Sequence, residues 1–377
     1  MAGIYIHIPF CKQACSYCDF HFSTNLKNST AVVEAICQEL DFRKGYLRGE
    51  KIESIYFGGG TPSLLEKKDL EKILNTIHNF YTLGSNPEIC LEANPDDLTR
   101  TKLKEISKAG INRLSIGVQS FHDEDLRFMN RAHNSKEAIS SIKQAQDIGI
   151  SNISIDLIFG SPSTTNKMWE QNLDQFFELN VPHLSSYSLT VEEKTKLADQ
   201  IKTNKVEALD DQKNYDQYLA LQQAIGQNDF EQYELSNYCK NAQYSKHNGS
   251  YWLQKKYLGV GPSAHSYNGK SRQWNVSNNS LYLRAVNTKS SYSEKEELSE
   301  ADQYHDYLIT RLRTKWGVSK TEVSSLFSDF IVSHFINQSN LIDSKKVTRT
   351  DDSIIIKREF LFQSDQLVDL LWLDNVV

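Results

Sequence analysis

The 377-residue chain lacks any apolar run approaching the roughly 18 residues needed to span a bilayer, so no transmembrane helix is expected. It also lacks an excess of positive charge. Lys and Arg total 42 against 48 Asp and Glu, for a net charge of −6, and no global basic field marks nucleic acid as the main partner. Six cysteines, three of them clustered, make a poor disulfide framework but a plausible ligand set in a reducing compartment. No internal repeat is visible beyond an alternation of β-rich runs and amphipathic helices. The chain opens MAGIYIHIPF, with strand-like residues so early that no charged, apolar and cleavable leader fits before them. A cytoplasmic location is the expectation.

What is present begins with Cys11, Cys15 and Cys18 in the run HIPFCKQACSYCDF. Three thiolates spaced C-x3-C-x2-C after a short strand can ligate three irons of a 4Fe-4S cluster and leave the fourth iron for an exchangeable ligand. A structural zinc site is the alternative. Zinc usually takes four ligands from cysteine pairs, and here the second pair is missing, although His21 would complete a Cys3His set. Cys37, Cys90 and Cys239 read as bystanders, the first in a helical pattern and the second in a strand.

Six β-rich runs, IYIHIPF, IESIYFGGG, EICLEANP, RLSIGVQS, NISIDLIFG and HLSSYSLT, alternate with segments whose apolar residues recur at three- and four-residue spacing. That order predicts an α/β barrel or a doubly wound sheet. Beyond Thr190 the helical stretch, the strand FEQYELSNY and the run HNGSYWLQKKYLGVGPSAHSYNG are expected to edge or cap it. NTKSSYSEKEELSEADQ reads as a linker, giving units 1–285 and 286–377. The second unit, with helix, helical run TEVSSLFSDFIVSHFI, hairpin VTRTDDSIIIK and last helix SDQLVDLLWL, has a winged-helix-like order. No stripe of Lys and Arg supports nucleic-acid binding by it.

Polar residues and glycines gather where strands end: Cys11, Gly58 to Thr61, Glu92, Gln119 and Asp156. In parallel barrels that rim is the active face. The glycines of FGGGTP let a backbone approach a ligand closely. Glu92 and Asp156 lie in apolar strand patterns, and a buried carboxylate needs a partner. Ribose hydroxyls, an amino group, or Arg113 and Arg131 would serve.

HIPFCxxxCxxCDF, FGGGTP, LEANP, RLSIGVQSF, NRAH, IDLIFGSP and YLGVGPSAHS, in this order and spacing, resemble the oxygen-independent coproporphyrinogen III oxidase-like branch of the radical S-adenosylmethionine (SAM) family. The resemblance covers most of the chain. It implies an incomplete, six-stranded (β/α) barrel with a small helical C-terminal domain. It also implies a 4Fe-4S cluster on Cys11, Cys15 and Cys18, and SAM held by Tyr5, Tyr17, Gly59, Gly60, Thr61, Glu92, Gln119, Arg131 and Asp156. Two departures bear on activity. The decarboxylating members carry a further cysteine in a CxC where this chain has Phe20, and a longer segment before the cluster.

Both features are similar to the heme chaperones of the branch, as is His247-Asn248-Gly249-Ser250-Tyr251-Trp252, an HNxxYW motif. That likeness implies heme as cargo, heme-accepting apoproteins as partners, and an electron donor such as a flavodoxin or ferredoxin. It leaves peripheral membrane association open. His247 is the expected axial ligand to heme iron, with His7 and His265 as rivals; a structural hydrogen-bonding role is the plainer alternative for His247.

Overall fold

The computed structural model describes residues 1–373. Its first part alternates strand and helix: β1 (Ala2–Ile8), α1 (Ser29–Phe42), β2 (Ile52–Gly59), α2 (Lys67–Phe80), β3 (Leu83–Ala93), α3 (Arg100–Lys108), β4 (Arg113–Gln119), α4 (Asp123–Phe128), α5 (Ser135–Asp147), β5 (Ile153–Phe159), α6 (Asn166–Glu178) and β6 (His183–Ser188). All six expected strands form, and they pair in parallel in chain order. Each buries both faces, which is why each reads as an apolar run. In β1, Ile4, Ile6 and Ile8 join the core under the helices, while Gly3, Tyr5 and His7 face the lumen. Helix α2 seals its stretch with Leu70, Ile73, Leu74 and Ile77, a stripe one helical turn apart. Starts are fixed locally, as where Asn134 and Glu137 close a capping box on α5.

The next elements are α7 (Lys196–Lys202), α8 (Asp211–Gln227), β7 (Glu231–Gln232), β8 (Asn237–Cys239), α9 (Lys246–Trp252), β9 (Tyr257–Val260), β10 (His265–Tyr267), β11 (Ser271–Asn275), α10 (Asn279–Thr288) and β12 (Ser293–Glu297). They extend the barrel sheet at both ends, giving the strand order β12-β11-β10-β9-β1-β2-β3-β4-β5-β6-β8-β7. The barrel is therefore open. FEQYELSNY, expected as one strand, folds as two short antiparallel ones, β7 and β8. The stretch expected as a linker contains β12, paired antiparallel with β11. Charged SEKEE resembles a linker because an edge strand with exposed faces carries the same composition. The sheet thus runs past the expected division at 285/286.

The extension is pinned by one buried group. Glu39 of α1, fully buried, is paired with Arg43 at 3.1 Å and accepts from Gly261 N, Asn275 Nδ2 and Tyr282 OH at 2.7–2.8 Å.

A second, smaller core belongs to α11 (Glu300–Leu312), β13 (Val318–Ser319), α12 (Lys320–Leu326), α13 (Asp329–Ser339), β14 (Val347–Arg349), β15 (Ser353–Ile356) and α14 (Ser364–Asp369). The helical run expected after α11 is two helices, broken at Phe327 and Ser328, where Ser328 N and Oγ donate to Glu300. The expected hairpin forms as β14 and β15, joined by β13 in a three-stranded wing. The final four positions of the expected 286–377 unit lie outside the described residues. Among the described residues no helix is long and apolar enough to cross a membrane.

Candidate cluster and cofactor site

The C-terminal ends of the parallel strands enclose a cavity of about 620 Å³. The loop after β1 brings Cys11, Cys15, Tyr17, Cys18, Phe20 and Phe22 to it, β2 and its turn bring Gly59, Gly60 and Thr61, and the ends of β3, β4 and β5 bring Glu92, Gln119 and Asp156. Arg131 enters from beyond α4. Of the residues expected at the site, Tyr5 and His247 stand apart: both line a second cavity of about 390 Å³ toward the other end of the barrel.

Glycine is required at the turn for two separate reasons. A Cβ on Gly60 would lie 2.6 Å from Phe10 O and 3.0 Å from Cys11 Sγ, so the bare backbone is what lets the cysteine loop close onto β2. Gly59 has φ +111°, and its Cβ would meet the His7 ring at 2.8 Å. Gln119 is a non-glycine residue at φ +67°, next to a shift of register between β4 and β5. Such a conformation costs about 1–3 kcal/mol and gathers at sites where a side chain must be aimed.

Among the described residues the two carboxylates have hydrogen bonds but no paired cation, although Arg113 and Arg131 act on Asp156 from farther off. Glu92 accepts from Tyr56 OH at 2.8 Å and from Gly59 N at 3.2 Å. Ser115 Oγ lies 3.2 Å from Asp156 Oδ1. Burial raises Glu92 to about 7, opposed by the Tyr56 bond and aided by Asp156, and it raises Asp156 to about 6 against its Ser185 and Ser115 bonds. Two acids held this way invite hydroxyl or ammonium donors.

Two of the thiols, Cys11 and Cys18, share the carboxylates' predicament. Burial, with Cys15 and Cys11 nearby, pushes Cys18 up to about 11, and burial raises Cys11 despite its bond from Thr61 Oγ1 at 3.4 Å. At Cys11 and Cys18 a bare thiolate is disfavoured, whereas a bound metal holds a coordinating thiol deprotonated outright. Arg131 Nη1 donates to Cys15 Sγ, Nη2 is tied to Asn94 Oδ1 and Gly117 O, and buried Nε has no partner among the described residues. The donor set therefore fits an iron-sulfur cluster with a polar ligand beside it. Among the described residues no three His, Cys, Asp or Glu side chains already stand as a closed cage for a single ion.

Tyr56, Asn94 and Tyr187 also line the main cavity and were not singled out from sequence; Asn248 of the HNxxYW motif joins them there. Asn94 lies two residues beyond Glu92 on the same strand exit, a signal that was available. Tyr56 precedes the glycines by an even step along β2, which puts it on the lumen face.

The expected heme ligands are placed very differently. His247 is 1% exposed, and burial lowers it to about 3. Its Nδ1 meets Ser54 Oγ at 2.9 Å and its Nε2 meets Tyr251 OH at 2.8 Å. His7 is buried, with ring nitrogens on Tyr5 OH and His21 O. His265 is exposed and stacks 6.3 Å from Trp274, and no hydrogen bond engages its ring among the described residues.

An open parallel barrel with three cysteines after its first strand defines a radical SAM fold, and residues 5–176 match the radical SAM superfamily. The heme chaperone HemW of Bacillus subtilis is 35% identical over 85% of this chain and 85% of its own length. HemW of Lactococcus lactis is 32% identical over 92% and 93%, and HemW of Escherichia coli 36% over 70% and 69%. The chain belongs to the HemW heme-chaperone family of radical SAM proteins. In fold it is similar to the coproporphyrinogen III oxidase HemN from Escherichia coli, with TM-score 0.84, 20% identity, and coverage of 98% of this chain and 89% of that one. Membership of the superfamily implies SAM and a 4Fe-4S cluster.

Proposed function

We propose that this protein binds heme and passes it to acceptor apoproteins, using a barrel that holds a 4Fe-4S cluster and SAM. The observation that carries the reading is the shared cavity, where three thiols, two buried carboxylates and the Arg131 guanidinium face one space. Cys11, Cys15 and Cys18 would hold three irons. Glu92 and Asp156 would accept from the ribose and amino groups of SAM, Gly59 and Gly60 admit its amino-acid end, and Arg131 and Tyr17 flank the cysteine loop. When bound, the cluster supplies a low-potential electron at the iron that the three thiolates leave open. A small donor of the flavodoxin or ferredoxin type would reload it.

Heme is the cargo in this reading, and a histidine that ligates its iron must present a free lone pair. His265 offers one at an exposed strand beside Trp274, whose ring can cover a macrocycle. Phe20, 68% exposed, stands where decarboxylating relatives have a cysteine, which disfavours coproporphyrinogen oxidation.

The test combines anaerobic reconstitution, electron paramagnetic resonance with SAM, heme titration, and transfer from the loaded protein to apomyoglobin as surrogate acceptor. A SAM-perturbed cluster signal, a Soret band lost in His265→Ala, and heme transfer without conversion of coproporphyrinogen III are expected. Conversion to protoporphyrin would instead make the protein an oxidase.

A further inference from the structure

The HNGSYW segment forms α9, which plugs the N-terminal end of the barrel. Glu88, at the start of the buried part of β3, accepts from Lys246 N at 3.0 Å and His247 N at 3.1 Å, and Arg113 stands beside it at 4.0 Å. Gly3 makes room for the His247 ring: a Cβ there would lie 3.2 Å from ring atoms. The ring then stacks on Tyr56 at 4.9 Å and 18°, with Tyr251 edge-on at 5.0 Å. Tyr56 in turn donates to Glu92. Gly58 leaves no slack, since a Cβ would fall 2.8 Å from Tyr5, 3.0 Å from Tyr56 and 3.1 Å from Glu92.

We infer that α9 is the floor of the SAM cup, and that His247 is a positioning residue that fixes the Tyr56 ring and through it the Glu92 carboxylate, rather than an iron ligand. This rests on the reading above that Glu92 receives SAM. Three observations support it independently of that reading. Both ring nitrogens already meet hydroxyls, so either neutral tautomer is satisfied and no lone pair is free. One ring face is covered by Tyr56. The motif's Asn248 lines both cavities, so the plug reaches the main site directly.

Tyr56 is the only side chain that donates to Glu92 among the described residues, the other bond coming from the backbone of Gly59. A histidine that steadies Tyr56 therefore acts on the acid without touching the ligand. The consequence is a separation of roles: SAM affinity should depend on His247, and heme colour should not.

The experiment uses full-length protein reconstituted with its cluster, SAM as one probe and hemin as the other. His247→Ala, His247→Gln, Tyr56→Phe and the His247→Ala/Tyr56→Phe double variant are compared with the parent. His247→Ala and Tyr56→Phe are each expected to weaken SAM binding about tenfold, the scale of one hydrogen bond to a charged group. The double variant should be no weaker than the worse single, because the two act in series. His247→Gln, which keeps hydrogen-bonding capacity, should recover part of the loss. The Soret band should keep its position and amplitude in every variant.

Loss or shift of the Soret band in His247→Ala or His247→Gln with SAM affinity retained would overturn the inference, as would additive losses in the double variant. Tyr56→Phe removes one hydroxyl and carries the test if His247→Ala fails to fold; unchanged SAM affinity in it also overturns the inference. Failure of the parent itself to bind SAM would remove the underlying reading, and is told apart by needing no variant at all.

Discussion

Arg131 Nη1 donates to Cys15 Sγ at 3.2 Å across 116 residues of chain. Burial works against its charge, but Tyr17 and Cys15 hold the guanidinium above its usual range. A fixed cation is thereby placed against the middle cysteine of the triad, joining the loop after β1 to the segment after α4.

Cys11→Ala, Cys15→Ala and Cys18→Ala should each abolish the cluster's visible absorption and acid-labile sulfide in protein purified without oxygen. Cys37→Ala, on α1 and outside the cavity, should leave both intact. Equal loss in all four variants would mean that the wrong thiols had been assigned, and zinc without sulfide would restore the structural-metal reading.

Gly60→Ala tests the close approach at the turn. Its Cβ would stand 2.6 Å from Phe10 O, so the backbone must shift, at a cost of about 1–3 kcal/mol typical of overpacking. The expected result is a folded protein, by circular dichroism, with iron content reduced well below the parent. Full iron loading would show that the loop can retreat without loss.

The buried acids give stability a pH slope. Glu92 is raised to about 7 and Asp156 to about 6, above their unfolded values. The folded state therefore binds more protons, and the stability this confers is complete below about pH 4 and lost as pH rises through about 6–7. Urea unfolding of the cluster-free, SAM-free protein should show stability falling from pH 5 to pH 8. Glu92→Gln should remove about 1–3 kcal/mol of that fall. An unchanged slope in the variant would place the titration elsewhere.

Arg43→Met leaves Glu39 buried without its counter-charge, and a broken buried pair of this kind costs about 3–5 kcal/mol. The urea midpoint should drop accordingly. A loss below about 1 kcal/mol would show that the hydrogen bonds from Gly261, Asn275 and Tyr282 suffice.

The six strands were legible because parallel strands buried on both faces leave continuous apolar runs, and the rim because Cys11, Gly60, Glu92 and Asp156 interrupt those runs at their ends. The strained backbone at Gln119 was not legible; RLSIGVQS reads as an uninterrupted strand, and only the register shift beside β5 bends it. The floor was hidden for a different reason. His247 meets Ser54 across 193 residues, and no local pattern announces such a partner. Its motif neighbour Tyr251 packs inward against Tyr257, a contact equally silent in the local sequence. Edge strand β12 failed as a linker because its charges obey the same rule in either role.

An open barrel has two free rims of hydrogen-bonding backbone where a closed one has none. Here one rim is the two-residue β7 and the other is SEKEE, whose Glu294, Lys295, Glu296 and Glu297 set charge along its length. One edge is too short, and the other too densely charged, to template a neighbouring sheet. The barrel can stay open along one side without becoming a building block for its own polymer.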